Sequence, residues 1–282
     1  LLITGGEGQL ATAFKSNFKS NFDLLSLKKS ELDVTDKLKV ESILKKFKPD
    51  IVLNCAAYTN VDGAETDFKR ANDINSDAIK NILSKFDGLF VQISTDYIFD
   101  GKNGPYTEFS DSKPINKYGL SKLNGEEISL KMSNKLILIR ANVIFDLNSK
   151  SSFLDWVIKS LKNKKEISVV DDQFGNPIWS VDLAKIIFQL IKNEETGIFN
   201  TGTDKIISRY EFAKLIANEW NLDVNLIKPI STKSLREKNK NYIAPRPLKS
   251  GLLIKDELNS INDEKKSLTG DKDFESKFLA WF

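Results

Sequence analysis

The chain has 282 residues, enough for one large α/β domain or for such a domain with a smaller lobe, and its 40% hydrophobic and 29% charged content is ordinary for a globular protein. Lys+Arg 42 against Asp+Glu 39 gives +3 with the signs interspersed, which argues against a basic stripe for nucleic acid. A single cysteine, Cys55, and the absence of histidine exclude an internal disulfide framework, an imidazole base, a Ser-His-Asp triad and the commonest zinc ligand. Proton chemistry must therefore use Tyr, Lys, Asp, Glu or Cys.

In chain order, Leu1 to Ile3 reads as an apolar strand, followed by Thr4-Gly-Gly-Glu-Gly-Gln-Leu-Ala11 and a helix to about Phe18. With no initiator Met ahead of this strand, a short preceding segment is expected to be missing. No signal-peptide pattern opens the chain and no apolar run approaches the ~18 residues of a membrane span, so no membrane is expected. The lone thiol fits a reducing compartment, the cytoplasm. The glycines fit Gly6-x-Gly8-x-x-Ala11 or Gly5-x-x-Gly8-x-x-Ala11, a turn that lets backbone approach a pyrophosphate at a helix N-terminus. An ordinary tight turn has the same residues, but the position between strand and helix is the one dinucleotide binding requires.

Phe22 to Leu27 reads as the second strand. Where an acid would hold a ribose 2′-hydroxyl, Lys28 and Lys29 follow; they suit a 2′-phosphate, or are simply a surface turn. Thr35 or Asp36 is positioned to cap a helix running to about Phe47. Ile51 to Asn54 is a strand ending in the small residues Cys55, Ala56 and Ala57, then Tyr58 to Asp62 is a loop and a helix holds Asn75 and Ala78 to Leu83. Leu89 to Ile93 is a strand that ends in Ser94-Thr95-Asp96-Tyr97, polar residues where ligands of parallel sheets are met, or a capping turn.

Tyr118-Gly-Leu-Ser-Lys122 follows a loop at Pro114 to Lys117 and precedes a helix over Leu123 to Leu130. Residues four apart share a helix face, so phenol and ammonium can point into one space. A cation within a few Å favours phenolate and brings the proton closer to transferable. Leu136 to Ile139 closes the alternation of strand and helix, which indicates an α/β, Rossmann-type doubly wound parallel sheet. Beyond Phe145 the expected elements are helices over Phe153 to Leu161, Asp182 to Lys192 and Tyr210 to Trp220, and strands over Ile167 to Val170 and Gly197 to Asn200. Asp171 to Pro177 reads as a polar loop, Lys233 to Lys240 as a basic solvated loop, and Phe274 to Phe282 as a closing apolar helix.

With these motifs in this order the chain resembles the extended short-chain dehydrogenase/reductase family, and more narrowly its dTDP-4-dehydrorhamnose reductase group. The narrower likeness rests on Asn54 to Asp62 with Ala64-Glu65, Ser94 to Phe99, Tyr118 to Lys122 with Gly125-Glu126, Asp172 to Pro177, and Arg246-Pro with Ser250. It implies NAD(P)H-dependent reduction of the C4 ketone of a nucleotide-linked deoxy-sugar, with Tyr118 donating the proton, Lys122 holding the nicotinamide ribose and lowering the tyrosine, and Thr95 orienting the carbonyl. By the same resemblance, NADPH (or NADH) falls to Gly5, Gly8, Gln9, Leu10, Asp33, Ala56, Ala57, Tyr58, Ser94, Tyr118 and Lys122. The nucleotide sugar falls to Val61, Asp96, Tyr97, Asn116 and Arg246, whose guanidinium suits a diphosphate. The implied division is a dinucleotide-binding domain over 1–145 and 178–205 and an α+β substrate lobe over 146–177 and 206–282, in a chain that can form homodimers.

Two departures stand out. Ala141-Asn142-Val143 replaces the Thr-Ser-Trp that relatives carry after the arginine of the sixth strand, and Pro177-Ile178 replaces Pro-Thr, which opens the identity of the hexose. Ala13 stands where some relatives have a glutamate for a metal between subunits, so no metal is expected. The other readings are a reductase of a different keto-sugar and a non-catalytic dinucleotide-binding regulatory subunit, against which the retained Tyr118-x-x-x-Lys122 pair argues.

Overall fold

The computed structural model describes residues 1–147 and 152–255. Its first half runs β1 (Leu2–Thr4), α1 (Gln9–Phe18), β2 (Leu25–Leu27), α2 (Lys37–Phe47), β3 (Ile51–Asn54), α3 (Val61–Thr66), α4 (Phe68–Asn72) and, after one π-helical turn at Asp73–Asp77, α5 (Ala78–Leu83). β4 (Leu89–Thr95), α6 (Lys117–Met132), β5 (Leu136–Ala141) and β6 (Ile144–Phe145) follow. The rest comprises α7 (Phe153–Lys162), β7 (Ile167–Val170), β8 (Phe174–Gly175), β9 (Ile178–Trp179), α8 (Ser180–Lys192), β10 (Gly197–Thr201), β11 (Ile207–Ser208), α9 (Arg209–Glu219), β12 (Ile227–Ile230) and α10 (Thr232–Lys238).

Six strands form one parallel sheet in the order β10-β5-β4-β3-β1-β2. Strands covered on both faces must be apolar throughout, and β5 is buried at every residue. One face packs on α1 and α8 through Phe14, Leu183 and Ile187; the other packs on α2 and α5 through Val40, Ile79 and Phe90. A third cluster gathers Phe145, Val157, Val169, Phe212 and Ile227 from β6, α7, α9 and the parallel pair β7 and β12, forming the smaller α+β part.

α6 is different in kind. Its buried side is Gly119, Ser121, Lys122, Gly125, Glu126 and Ser129, small and polar rather than apolar. A Cβ at Gly125 would lie 2.2 Å from Asn75 O, so the missing side chain lets α6 press against the π-helical turn. Packing this close suits a helix that carries chemistry rather than core.

Several expectations are corrected. α6 begins at Lys117 because the Asn116 side chain accepts from Gly119 N, six residues earlier than its apolar pattern suggested. β2 is shortened to Leu25–Leu27, a 3₁₀ turn taking up Lys19–Asn21. The basic stretch near Lys233 is helix α10, capped by Ser231, and the Asp171–Pro177 loop contains β8, antiparallel to β11. Asp36, not Thr35, caps α2. The helix expected over Phe274 to Phe282 lies outside the described residues. No described helix is long and apolar enough to cross a membrane.

Candidate active site

The carboxyl ends of β1, β3, β4 and β5 open onto a cleft of about 460 Å³. It lies where the strand order reverses, β1 having β2 on one side and β3 on the other, which is the crevice where open α/β sheets take ligands. Side chains tie the strand ends beneath it. Thr4 Oγ1 donates to Asn54 Oδ1 (2.6 Å), Asn54 Nδ2 donates to Gln92 Oε1 (2.8 Å), and the Ala56 N–H donates to Thr4 Oγ1 (3.2 Å).

The glycine turn crosses the end of β3. Gly5 has φ +63°, and a Cβ there would stand 2.7 Å from Ala56 N. Both facts require glycine. Gly8 begins α1 with no side-chain cap, so the first-turn N–H groups at Gln9, Leu10 and Ala11 face the cleft without one. This is the arrangement that receives an anion, aided by the helix dipole.

Tyr118, Lys122 and Glu126 occupy successive turns of one face of α6. Lys122 is 4% exposed, and its Nζ donates to Ile93 O at 2.6 Å. Burial lowers its ammonium to about 8, opposed by the charges of Glu126 and Cys55. Beside it, Glu126 is held by Arg140 (Nη2 to Oε2, 2.8 Å) and by Ser94 Oγ (2.5 Å). Tyr118 is half-buried on the cleft wall; burial raises its phenol, the Thr95 hydroxyl lowers it, and Asp96 and Tyr97 raise it further. The lowering by Lys122 expected from the spacing is not among these effects, because the ammonium is turned toward the Ile93 carbonyl. The phenol is thus protonated at neutral pH, the state a proton donor needs.

Gly8, Gln9, Leu10, Ala57, Ser94, Thr95, Tyr118 and Lys122 meet around this cleft. Gly5 and Ala56 lie under the turn, and Tyr58 is anchored beside it, its N–H donating to Asn75 Oδ1 at 2.8 Å. Asp33 stands apart, its Oδ1 accepting from Thr35 N (3.0 Å) and Thr35 Oγ1 (2.7 Å). Val61 opens α3, and Asn116 joins α6 to Pro245 O (2.9 Å). Asp96 and Tyr97 line a tighter cavity with Arg209 and Ser250. Tyr97 reaches back, its ring edge-on to Tyr118 at 5.7 Å. Val143 lines both cavities, and its φ of +42°, rare for a β-branched side chain, has no signature in the sequence.

Asp96 is 2% exposed, its Oδ2 has no hydrogen-bond partner, and burial pushes its carboxyl from 3.8 up to about 6. The folded chain therefore holds more protons than the unfolded one between these values, and stability falls as pH rises through that window. The loss amounts to about 3 kcal/mol. Urea midpoints taken from about pH 4 to about pH 7 are expected to show this fall in the native chain and a flatter profile in Asp96→Asn. Equal slopes would contradict the assignment.

A family model described as RmlD substrate binding domain matches residues 1–266. The dTDP-4-dehydrorhamnose reductase of Aggregatibacter actinomycetemcomitans is 35% identical over 231 residues, 78% of each chain. The spore coat polysaccharide biosynthesis protein SpsK of Bacillus subtilis is 32% identical over 257 residues, 89% of this chain and 88% of its own. The crystal structure of dTDP-4-dehydrorhamnose reductase from Bacillus anthracis in complex with NADP superposes with a TM-score of 0.86 at 30% identity, covering 100% of this chain and 97% of that one.

Proposed function

The chain belongs to the RmlD substrate binding domain family, and on that premise we propose that it uses NADPH to reduce the C4 ketone of a deoxy-sugar nucleotide, most simply dTDP-4-dehydrorhamnose to dTDP-rhamnose for polysaccharide precursors. The observation that carries this reading is the convergence of Thr95, Tyr118 and Lys122 on a cleft whose other wall is the uncapped start of α1.

That cleft fits a dinucleotide: the bare turn at Gly5 and Gly8 leaves backbone within reach of a pyrophosphate, and the first-turn N–H groups of α1 would hold it. Lys28 and Lys29, at the end of β2, would hold a 2′-phosphate, and Ala56, Ala57 and Tyr58, which follow β3, would flank the remaining nucleoside surface, with Asp33, which stands apart from the cleft, assigned to the cofactor by resemblance alone. When bound, NADPH supplies the hydride. Lys122 would hold the nicotinamide ribose through its ammonium, largely retained at neutral pH. Thr95 orients the ketone oxygen, and Tyr118 transfers its phenolic proton to that oxygen as carbon gains hydrogen. Ser94 ties the end of β4 to α6 through Glu126.

Val61, Asp96, Tyr97, Asn116 and Arg246 surround the nucleotide sugar, with Arg246 at its diphosphate. We assign 1–145 and 178–205 to the dinucleotide and 146–177 and 206–282 to the substrate, in a cytoplasmic enzyme able to form a homodimer. Loss of reduced-nicotinamide absorbance, followed with dTDP-4-dehydrorhamnose and a panel of other keto-sugar nucleotides, is the test. Oxidation that depends on a keto-sugar is expected. Tight cofactor binding with no oxidation across the panel would favour a regulatory subunit instead.

A further inference from the structure

Asp62 and Glu65 stand three residues apart in α3, so their carboxylates leave the same side of that short helix. They reach in two directions. Glu65 Oε1 accepts the N–H of Lys117 at 2.8 Å, the residue that begins α6 and precedes Tyr118. Asp62 Oδ1 accepts the N–H groups of Ile243 and Ala244, each at 2.9 Å, and its Oδ2 accepts from Arg246 Nη2 at 2.6 Å.

The 242–246 segment is tied to α6 a second time through Asn116. Its Nδ2 donates to Pro245 O at 2.9 Å while its Oδ1 accepts the Gly119 N–H at 2.7 Å. Arg246 is then fixed from three sides. Its Nη1 donates to Ala244 O at 2.9 Å, its Nη2 donates to Asp62, and its guanidinium lies 4.2 Å from the centroid of the Tyr242 ring. Tyr242 is itself held, its hydroxyl accepting from Gln173 Nε2 at 2.7 Å. The Arg246 side chain is 7% exposed. Its charge also acts on Tyr97, whose ring packs on Tyr118, so this guanidinium borders the reaction site.

An arginine has five N–H donors, and these two hydrogen bonds use two of them. The others are offered by a group that has already lost its rotamer freedom, which lowers the entropic cost of binding an anion. We infer that Asp62 is a positioning residue for the substrate's diphosphate, latching the 242–246 segment beside the catalytic helix and holding Arg246 in its receiving posture. Two of the three bonds to Asp62 come from backbone N–H groups, so the one carboxylate holds the segment as well as the guanidinium. This inference rests on the reading of the chain as a nucleotide-sugar reductase.

The test is a double-mutant cycle on the full chain saturated with NADPH, with dTDP as the calorimetric probe. Asp62→Asn is expected to weaken dTDP about 10-fold in the native background and less than about twofold on top of Arg246→Ala, since it acts through that arginine. KM for the keto-sugar should rise in parallel with kcat nearly kept, and NADPH affinity should stay within about twofold. Should the Asn variant not fold, Asp62→Glu carries the same expectations. Unchanged dTDP affinity, equal weakening in both backgrounds, or loss of NADPH binding alongside would overturn the latch while leaving the functional reading intact. A native chain that binds no dTDP would overturn both.

Discussion

Tyr118→Phe is expected to lower kcat by about 10³-fold, an increase of about 4 kcal/mol in the barrier, with NADPH affinity unchanged. Removing one oxygen leaves the ring, and so the edge-on contact with Tyr97, in place. What goes is the proton that the ketone oxygen needs as it gains charge. The phenol is suited to the task because burial raises it and keeps it protonated, outweighing the lowering by the Thr95 hydroxyl. Parallel kcat and NADPH-binding measurements separate this from a general collapse of the site. Turnover like that of the native chain would remove Tyr118 from the mechanism.

The largest effect on stability is expected from the buried pair behind Lys122. Arg140 and Glu126 have side chains 5% and 2% exposed; the guanidinium contacts Glu126 through Nε and Nη2, and its Nη1 donates to Glu108 O at 2.9 Å. Arg140→Met would strip Glu126 of its cation in a low-dielectric setting, costing about 3–5 kcal/mol by denaturant unfolding. Adding Glu126→Leu should recover most of that loss, because a buried ion pair replaced whole by apolar groups is often neutral. If the single and double variants lose the same amount, packing rather than charge accounts for the cost. The pair matters to the site as well, since Glu126 is the foremost group opposing the fall of Lys122.

The parts legible in the sequence are those written in short-range spacing. Glycines between a strand and a helix, and Tyr118 one turn before Lys122, impose local geometry whatever surrounds them, and both line the cleft. Spacing says which groups share a face but not where their tips go: Lys122 Nζ found the Ile93 carbonyl, 29 residues away in sequence, instead of the phenol. The start of α6 is hard to see in the sequence because its buried side is glycine, serine and charge, which leaves no apolar period to follow. The lysines of α10, whose one buried residue is Thr232, leave no such period either. The Asp62–Arg246 bond joins residues 184 apart, and no local pattern announces it. Arg246 could be singled out by its chemistry, but the carboxylate that orients it could not.

The account stands on a hydride and a proton reaching the two ends of one carbonyl above the carboxyl end of the sheet. NADPH deuterated at the transferred position of its nicotinamide C4, mixed with the native chain and dTDP-4-dehydrorhamnose for a single turnover, tests this most directly. The product's NMR spectrum should show the deuterium at C4 of the hexose. Label that stays on the dinucleotide, or that appears at another carbon, would contradict it.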